Sequence, residues 1–156
     1  MTKYKIRNVQ ESDSSTLRKL AHDCSPLDLH TPYTYWVITK LFSDTSFIME
    51  CENSDIGFIT ALYNGAMFFI WQIGILPKYQ KKNLSHLLIG KVLDIAQEKG
   101  VPIYLSIADS NADSYNAFNN YCKLKNYSFN KIGNVELNDK IDLNFYEEEE
   151  LYKIGV

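Results

Sequence analysis

Residues Ala66 to Ile75 (AMFFIWQIGI) are almost entirely apolar and carry no charge. A run this apolar and this short reads as a strand buried on both faces, at the centre of a sheet. A membrane helix needs ~20 such residues, and no run in the chain approaches that. Its surroundings extend the argument. Asn64-Gly65 is the clearest hairpin signal in the chain and joins this strand to Ile56–Tyr63. Before it, Thr45–Cys51 is β-rich and Glu52 to Asp55 reads as a turn, so a three-stranded antiparallel meander is predicted. Pro77 ends the apolar strand. Leu84 to Lys99 then repeats apolar residues at helical spacing (Leu84, Leu87, Leu88, Val92, Ile95, Ala96), and Gly100 stops the helix.

The remaining segments fill in an α/β chain with a mixed sheet. Tyr4–Val9 alternates in polarity as a strand does, and Ser14–Asp23 and Tyr33–Phe42 have helical spacing. Val101–Ala108 reads as a strand, Ala112–Leu124 as a helix, and Tyr127–Ile132 and Ile141–Ile154 as late strands. The order βααβββαβαββ predicts helices on both faces of a central sheet. At 156 residues, without repeats or linkers, one domain over 1–156 is expected.

Charge and cysteine usage exclude several functions. A net charge of -3 gives no broad basic field for nucleic-acid binding. Cys24, Cys51 and Cys122 are widely spaced and odd in number, which argues against a disulfide framework or a zinc site, and no metal is expected. The start MTKYKIRNVQESD lacks an apolar signal region, so a cytoplasmic protein without membrane contact is expected.

A buried strand that turns into the N-terminus of a long helix makes an anion site, because the first helical N–H groups are free and the dipole is positive there. Here the turn is Pro77 to Leu84 (PKYQKKNL), with Gln80, Lys81 and Lys82 and main-chain N–H groups reaching Ser85. A pyrophosphate suits it, although two lysines in a solvated turn are common. The segment Phe69 to Lys99 resembles the acetyl-CoA-binding motif of the GNAT acetyltransferases. Its Gln/Arg-x-x-Gly-x-Gly/Ala fingerprint falls on Gln80, Lys81, Lys82, Asn83, Leu84 and Ser85. Asn83 and Ser85 stand where the family has small residues. Asn tolerates a left-handed backbone, and Ser is nearly as small as Ala. A second landmark, Asn111 to Phe118 (NADSYNAF), resembles the family's Asn-x-x-Ala/Ser-x-x-x-Tyr/Phe. The resemblance implies that Asn111 contacts the pantetheine arm and that Phe118 lies near the thioester sulfur. A tyrosine there would protonate the departing thiolate. Phe118 cannot, and Tyr115 or Tyr121 would substitute only from a rotated helix. The resemblance implies a GNAT acyl-CoA N-acyltransferase fold, with six or seven strands flanked by about four helices.

Leu27 to Trp36 (LDLHTPYTYW), Phe42 to Ser46 (FSDTS), Phe69 to Gln72 (FIWQ) and Leu151 to Gly155 (LYKIG) resemble the L-2,4-diaminobutyrate acetyltransferases of ectoine biosynthesis. The implied reaction moves an acetyl group from acetyl-CoA to a primary amine of a small diamino acid. Another small amine, such as a polyamine, amino acid or peptide amine, is the alternative acceptor, and a non-catalytic CoA-binding module is the reading from another class. Tyr146 departs from the family, which tends to carry His there, and the segment between Lys131 and Asn144 is short. Relatives of this kind often form homodimers, though no interface can be read from the residues.

On this reading Asp28 pairs with the acceptor's ammonium group, where otherwise it is a turn or capping aspartate. Tyr33, one place after Pro32, and Trp71, on the central strand, wall the acceptor pocket, with core packing the ordinary alternative for Trp71. Period-two alternation places Trp71 and Ile73 on one face and Gln72 and Gly74 on the other. Glu147 and Glu149 share a face if their segment is a strand, and both are candidate bases, although a four-Glu run is usually solvated. Ile73, Gly74 and Ile75 complete the cofactor contacts, and the N–H of Ile73 or Gly74 polarises the thioester carbonyl.

Overall fold

The structure is a computed structural model that describes residues 2–136 and 147–156. The first half of the expected strand Ile141–Ile154, together with Tyr146, lies outside the described residues. Seven strands form one sheet: β1 (Tyr4–Asn8), β2 (Phe47–Cys51), β3 (Ser54–Tyr63), β4 (Phe68–Ile75), β5 (Ile103–Ala108), β6 (Ser128–Val135) and β7 (Glu149–Gly155). Their order is β1-β2-β3-β4-β5-β7-β6, so the apolar strand β4 is indeed central. All pairings are antiparallel except β4 with β5.

The helices are α1 (Ser14–Asp23), α2 (Pro32–Leu41), α3 (Leu84–Lys99) and α4 (Ala112–Lys125). They divide the core between the two faces of the sheet. Leu17, Leu20 and Ala21 of α1 and Tyr35 and Ile38 of α2 pack on Ile48 and Phe58. On the other face Leu88, Val92 and Leu93 of α3 and Phe118 and Cys122 of α4 cover Ile59, Ile70, Ile73 and Ile75. The buried stripe of α3 runs through Leu84, Leu88, Ile89, Val92, Leu93 and Ala96. Leu87, expected on that stripe, is 50% exposed. The helix is therefore rotated slightly from the arrangement that the apolar spacing suggests.

The turns follow local chemistry. Asn64 accepts the N–H groups of Ala66 and Met67 on its side chain at 2.9 and 3.0 Å, and Gly65 has φ +92°. The tight two-residue turn with both residues left-handed falls instead at Glu52 and Asn53, at φ 50° and 66°.

Two irregularities in β4 decide what the fold can do. Thr60 pairs with Gln72 and Ala61 with Ile70, so Trp71 is the extra residue of a β-bulge. The expected alternation breaks there. Trp71 packs with the α1/α2 core while Ile73 packs with the α3/α4 core. Gln72 instead turns to the same side as Trp71, where Tyr35 donates to its amide oxygen. The second irregularity is a parting of strands. β4 and β5 pair only from Phe68 with Ile103 to Ile70 with Leu105. β4 then continues to Ile75 and β5 to Ala108 without a partner between them, which leaves a wedge at their C-terminal ends.

Candidate active site

The wedge opens into a cleft of about 340 Å³, bounded by the end of β4, the β4–α3 turn and the N-terminal half of α4. One wall is main chain. Leu76 donates its N–H to Ile56 of β3 at 2.8 Å, and Gly74 pairs with Phe58. Alternation therefore turns the N–H and C=O of Ile73 and Ile75 away from β3 and into the gap. The Ile75 carbonyl accepts from Gln80 Nε2 at 2.9 Å. Of the two candidate carbonyl-polarising donors, the N–H of Ile73 faces the gap and that of Gly74 faces β3. The missing side chain of Gly74 also matters. A Cβ there would lie 2.9 Å from both Cβ and Sγ of Cys24 and 3.0 Å from Phe58. The α1–α2 loop can approach the strand this closely only over glycine.

At the mouth of the gap the chain makes a nest of N–H groups. Lys81 and Asn83 are left-handed, at φ 63° and 57°, and α3 begins immediately afterwards. Gln80 N–H is taken by Pro77 O and His86 N–H by Asn83 O. Among the described residues none accepts from the N–H groups of Lys81, Lys82, Asn83, Leu84 or Ser85. Five unpaired donors at a helix N-terminus, two of them set by left-handed residues, make a cradle for a diphosphate. Asn111 caps α4 by accepting Ser114 N–H at 3.2 Å and lines the same cleft.

The other end of the wedge carries carboxylates. Glu149 opens β7, half-buried, and accepts from Ser106 Oγ on β5 at 3.3 Å. Burial pushes its carboxyl above the usual range; the Ser106 hydroxyl opposes this, and the charges of Asp28 and Glu147 add to the rise. Glu147, exposed, is held by Ser110 through Oγ at 2.6 Å and N–H at 3.0 Å, which lowers its pKa. Within reach of the Asp28 charge, His30 lies on Trp71 with ring centroids 4.4 Å apart, and Tyr35 reaches the same indole at 6.3 Å. Burial lowers the His30 pKa while the Asp28 charge opposes the shift, so the ring adds little positive charge of its own at neutral pH. Carboxylates grouped near aromatic faces suit a cation.

The sequence profile of the acetyltransferase (GNAT) family matches residues 14–122. The chain belongs to that family. Among curated relatives, the L-2,4-diaminobutyric acid acetyltransferase of Virgibacillus pantothenticus is 28% identical over 93% of this chain and 93% of its own length. The enzyme of the same name from Vibrio parahaemolyticus is 27% identical over 59% of this chain, which spans only 52% of that relative. A solved structure of diaminobutyrate acetyltransferase EctA from Paenibacillus lautus, in complex with L-2,4-diaminobutyric acid and coenzyme A, superposes with a TM-score of 0.86. Its identity is 23%, over 99% of this chain and 96% of that one. The ribosomal-protein-S18-alanine N-acetyltransferase of Escherichia coli superposes at 0.77 with 14% identity, over 99% and 94% of the two chains.

In this GNAT chain Ile73, Gly74, Ile75, Gln80, Lys81, Asn83, Leu84, Ser85 and Asn111 all line the one cleft. Lys82 adds its main chain to the nest, while its ammonium group sits 5.7 Å over the ring of Tyr79. Phe118, expected beside the cofactor, is 2% exposed and packs against Phe129; Asn116, Ala117 and Asn120 are the residues around it that line the cleft. Of the tyrosines weighed as its substitutes, Tyr121 is buried against His86, and Tyr115 packs on Phe129 and Tyr152. Tyr33, expected at the acceptor pocket, is 72% exposed and stacks on Trp36, away from Trp71. Two residues along a helix rotate a side chain by about 200°, so Tyr35 turns inward when Tyr33 turns out. Sequence reasoning saw that Tyr33 and Tyr35 could not both face the core but chose Tyr33 for the pocket, and it passed over Ser106 and Ser110. A serine within an apolar strand such as IYLSIA was the one available signal for Ser106.

Proposed function

We propose that this chain, acting as one cytoplasmic domain, transfers the acetyl group of acetyl-CoA to a primary amine of a small diamino acid such as L-2,4-diaminobutyrate. The observation that carries this reading is the wedge between β4 and β5. It has five N–H groups with no acceptor among the described residues at one end, and at the other Glu149, which feels the charges of Asp28 and Glu147. Relatives bearing that activity in their names support the choice of acceptor. The cleft fits the co-substrate through its donors: Lys81 to Ser85 would hold the diphosphate, Asn111 and Ala117 would flank the pantetheine arm, and Ile73 would meet the thioester. Acetyl-CoA supplies an activated acyl group and a thiolate that leaves readily.

The chain's residues then do three things. Asp28 and Glu147 attract the acceptor's ammonium groups. Glu149 removes a proton from the reacting one, which is needed because at neutral pH about one alkylammonium in a thousand or fewer is free amine. A carboxyl with a raised pKa is better matched to that task than an ordinary one. Ile73 N–H donates to the oxygen that gains charge as nitrogen bonds to carbon. On collapse the C–S bond breaks, the sulfur departs as thiolate, and the second proton passes from nitrogen to solvent water. Because a thiol of pKa near ~8.5 is a fair leaving group, the buried Phe118 need not be an acid.

The test is release of CoA thiol, followed with a thiol reagent, when acetyl-CoA and L-2,4-diaminobutyrate are supplied. Glu149→Gln is expected to lower kcat by about 10²-fold or more. Asp28→Ala is expected to raise the acceptor KM far more than that of acetyl-CoA. Release with other short amines alone would reassign the acceptor. No release with any amine, and no acetyl-CoA binding by calorimetry, would overturn the reading.

A further inference from the structure

Gln72 is the one polar side chain that β4 buries, at 6% exposure. A buried amide must satisfy both its ends, and the two bonds it makes are long-range. Its Oε1 accepts from the Tyr35 hydroxyl of α2 at 3.0 Å, and its Nε2 donates to the main-chain carbonyl of Asp28 at 2.7 Å. Its own main chain is pinned as well, since Gln72 N–H donates to Thr60 Oγ1 at 3.1 Å across the bulge. The bulge at Trp71 is what makes this geometry available. In a regular strand Gln72 would point to the α3/α4 face, opposite the indole; the extra residue brings both to the α1/α2 face.

We propose that Gln72 is a positioning residue for the acceptor: it clamps the Asp28 main chain to the bulge of β4 beside Trp71, with Tyr35 locking its amide in the donating orientation. Asp28 itself is exposed and lies in a loop between helices, with no other side chain of the described residues bonded to its backbone. The clamp therefore sets where the carboxylate stands relative to the indole and to Glu149. Tyr35 fixes which end of the amide is which, because a phenol that donates to Oε1 leaves Nε2 for the carbonyl. The inference rests on the acetyltransferase reading for its kinetic consequence but not for its structural one.

The experiment therefore has two arms. In the first, hydrogen exchange is followed by mass spectrometry on wild type, Gln72→Leu and Tyr35→Phe. Exchange across Ser25–Thr31 should quicken at least severalfold in both variants, while Leu88–Ala96 of α3 stays as in wild type. In the second, Gln72→Leu and Tyr35→Phe should raise the acceptor KM by about tenfold and leave the acetyl-CoA KM within about twofold. Combining Gln72→Leu with Asp28→Ala should cost little beyond Asp28→Ala alone, because both remove the same contact. Unchanged exchange in the loop would overturn the clamp whatever the activity. Equal effects on both KM values, or additive losses, would overturn its role toward the acceptor. Should Gln72→Leu fail to fold, Tyr35→Phe carries both arms, since it keeps the ring and removes only the hydroxyl. A wild-type chain without acetyl transfer would sink the functional reading and leave the exchange arm to judge the clamp.

Discussion

Two influences compete at the Glu149 carboxyl: burial with the neighbouring charges of Asp28 and Glu147 raises its pKa, and the Ser106 hydroxyl lowers it. A carboxylate works as a base only when ionised, so the rate falls as pH drops through its pKa. Ser106→Ala removes the lowering contact and should move the acidic limb of kcat/KM to higher pH. Asp28→Asn removes a raising charge and should move the same limb to lower pH. A pH profile of the two variants beside wild type reads both shifts, and shifts in the same direction would contradict the assignment. The nest of N–H groups before α3 also depends on single residues. Asn83 occupies φ +57°, where only glycine sits without cost and asparagine is among the best of the rest. That property was legible from the residue type. Lys81 at φ +63° was not, because lysine has no such preference and the surrounding turn imposes it.

Among the elements, β4 carries most of the functional design. Its apolar composition announced a central strand, and α3 begins and ends at the residues that spacing and Gly100 suggest. The bulge at Trp71 was not legible, since it arises from register with β3 and not from any feature of β4 alone. The close approach of α1 at Gly74 is of the same kind. Gly74→Ala would force a Cβ to within 2.9 Å of Cys24. The fold should lose about 1–3 kcal/mol, read as a lower urea midpoint with an unchanged slope. Cys24 is itself buried, which pushes its thiol up to about 12 and keeps it unreactive at neutral pH. Substituting it with serine should therefore leave thiol-reagent titration of the folded protein unchanged.

At the scale of the whole molecule, one arginine ties the edge of the sheet together. Arg7 of β1 binds both oxygens of Asp13 at 2.7 and 3.0 Å, Glu50 of β2 at 2.8 Å and Asp55 of β3 at 3.7 Å. Arg7→Leu strands three carboxylates and should cost about 2–4 kcal/mol at neutral pH by chemical denaturation. Burial raises the Asp13 pKa, but Arg7 and the Gln10 N–H outweigh it and hold the group below its usual value. Its contribution is therefore present above the unfolded carboxyl pKa of ~3.9 and fades as pH falls through the lower folded one. Asp55, raised by burial against the pull of Arg7, works the opposite way and subtracts part of that gain. The difference between wild type and variant should narrow in acid. What the amino-acid order determined by itself was local: which segments are helix or strand, which strand is central, and that the β4–α3 turn leads into the free N–H groups of a helix start. These follow from periodicity and turn chemistry. Only the tertiary structure decided that β4 and β5 part after Ile70, that Tyr35 and not Tyr33 meets Trp71, and that Ser106 stands under Glu149. Each of these is set by the register of strands or the rotation of a helix against a neighbour distant in sequence, and a residue's own type says nothing about that.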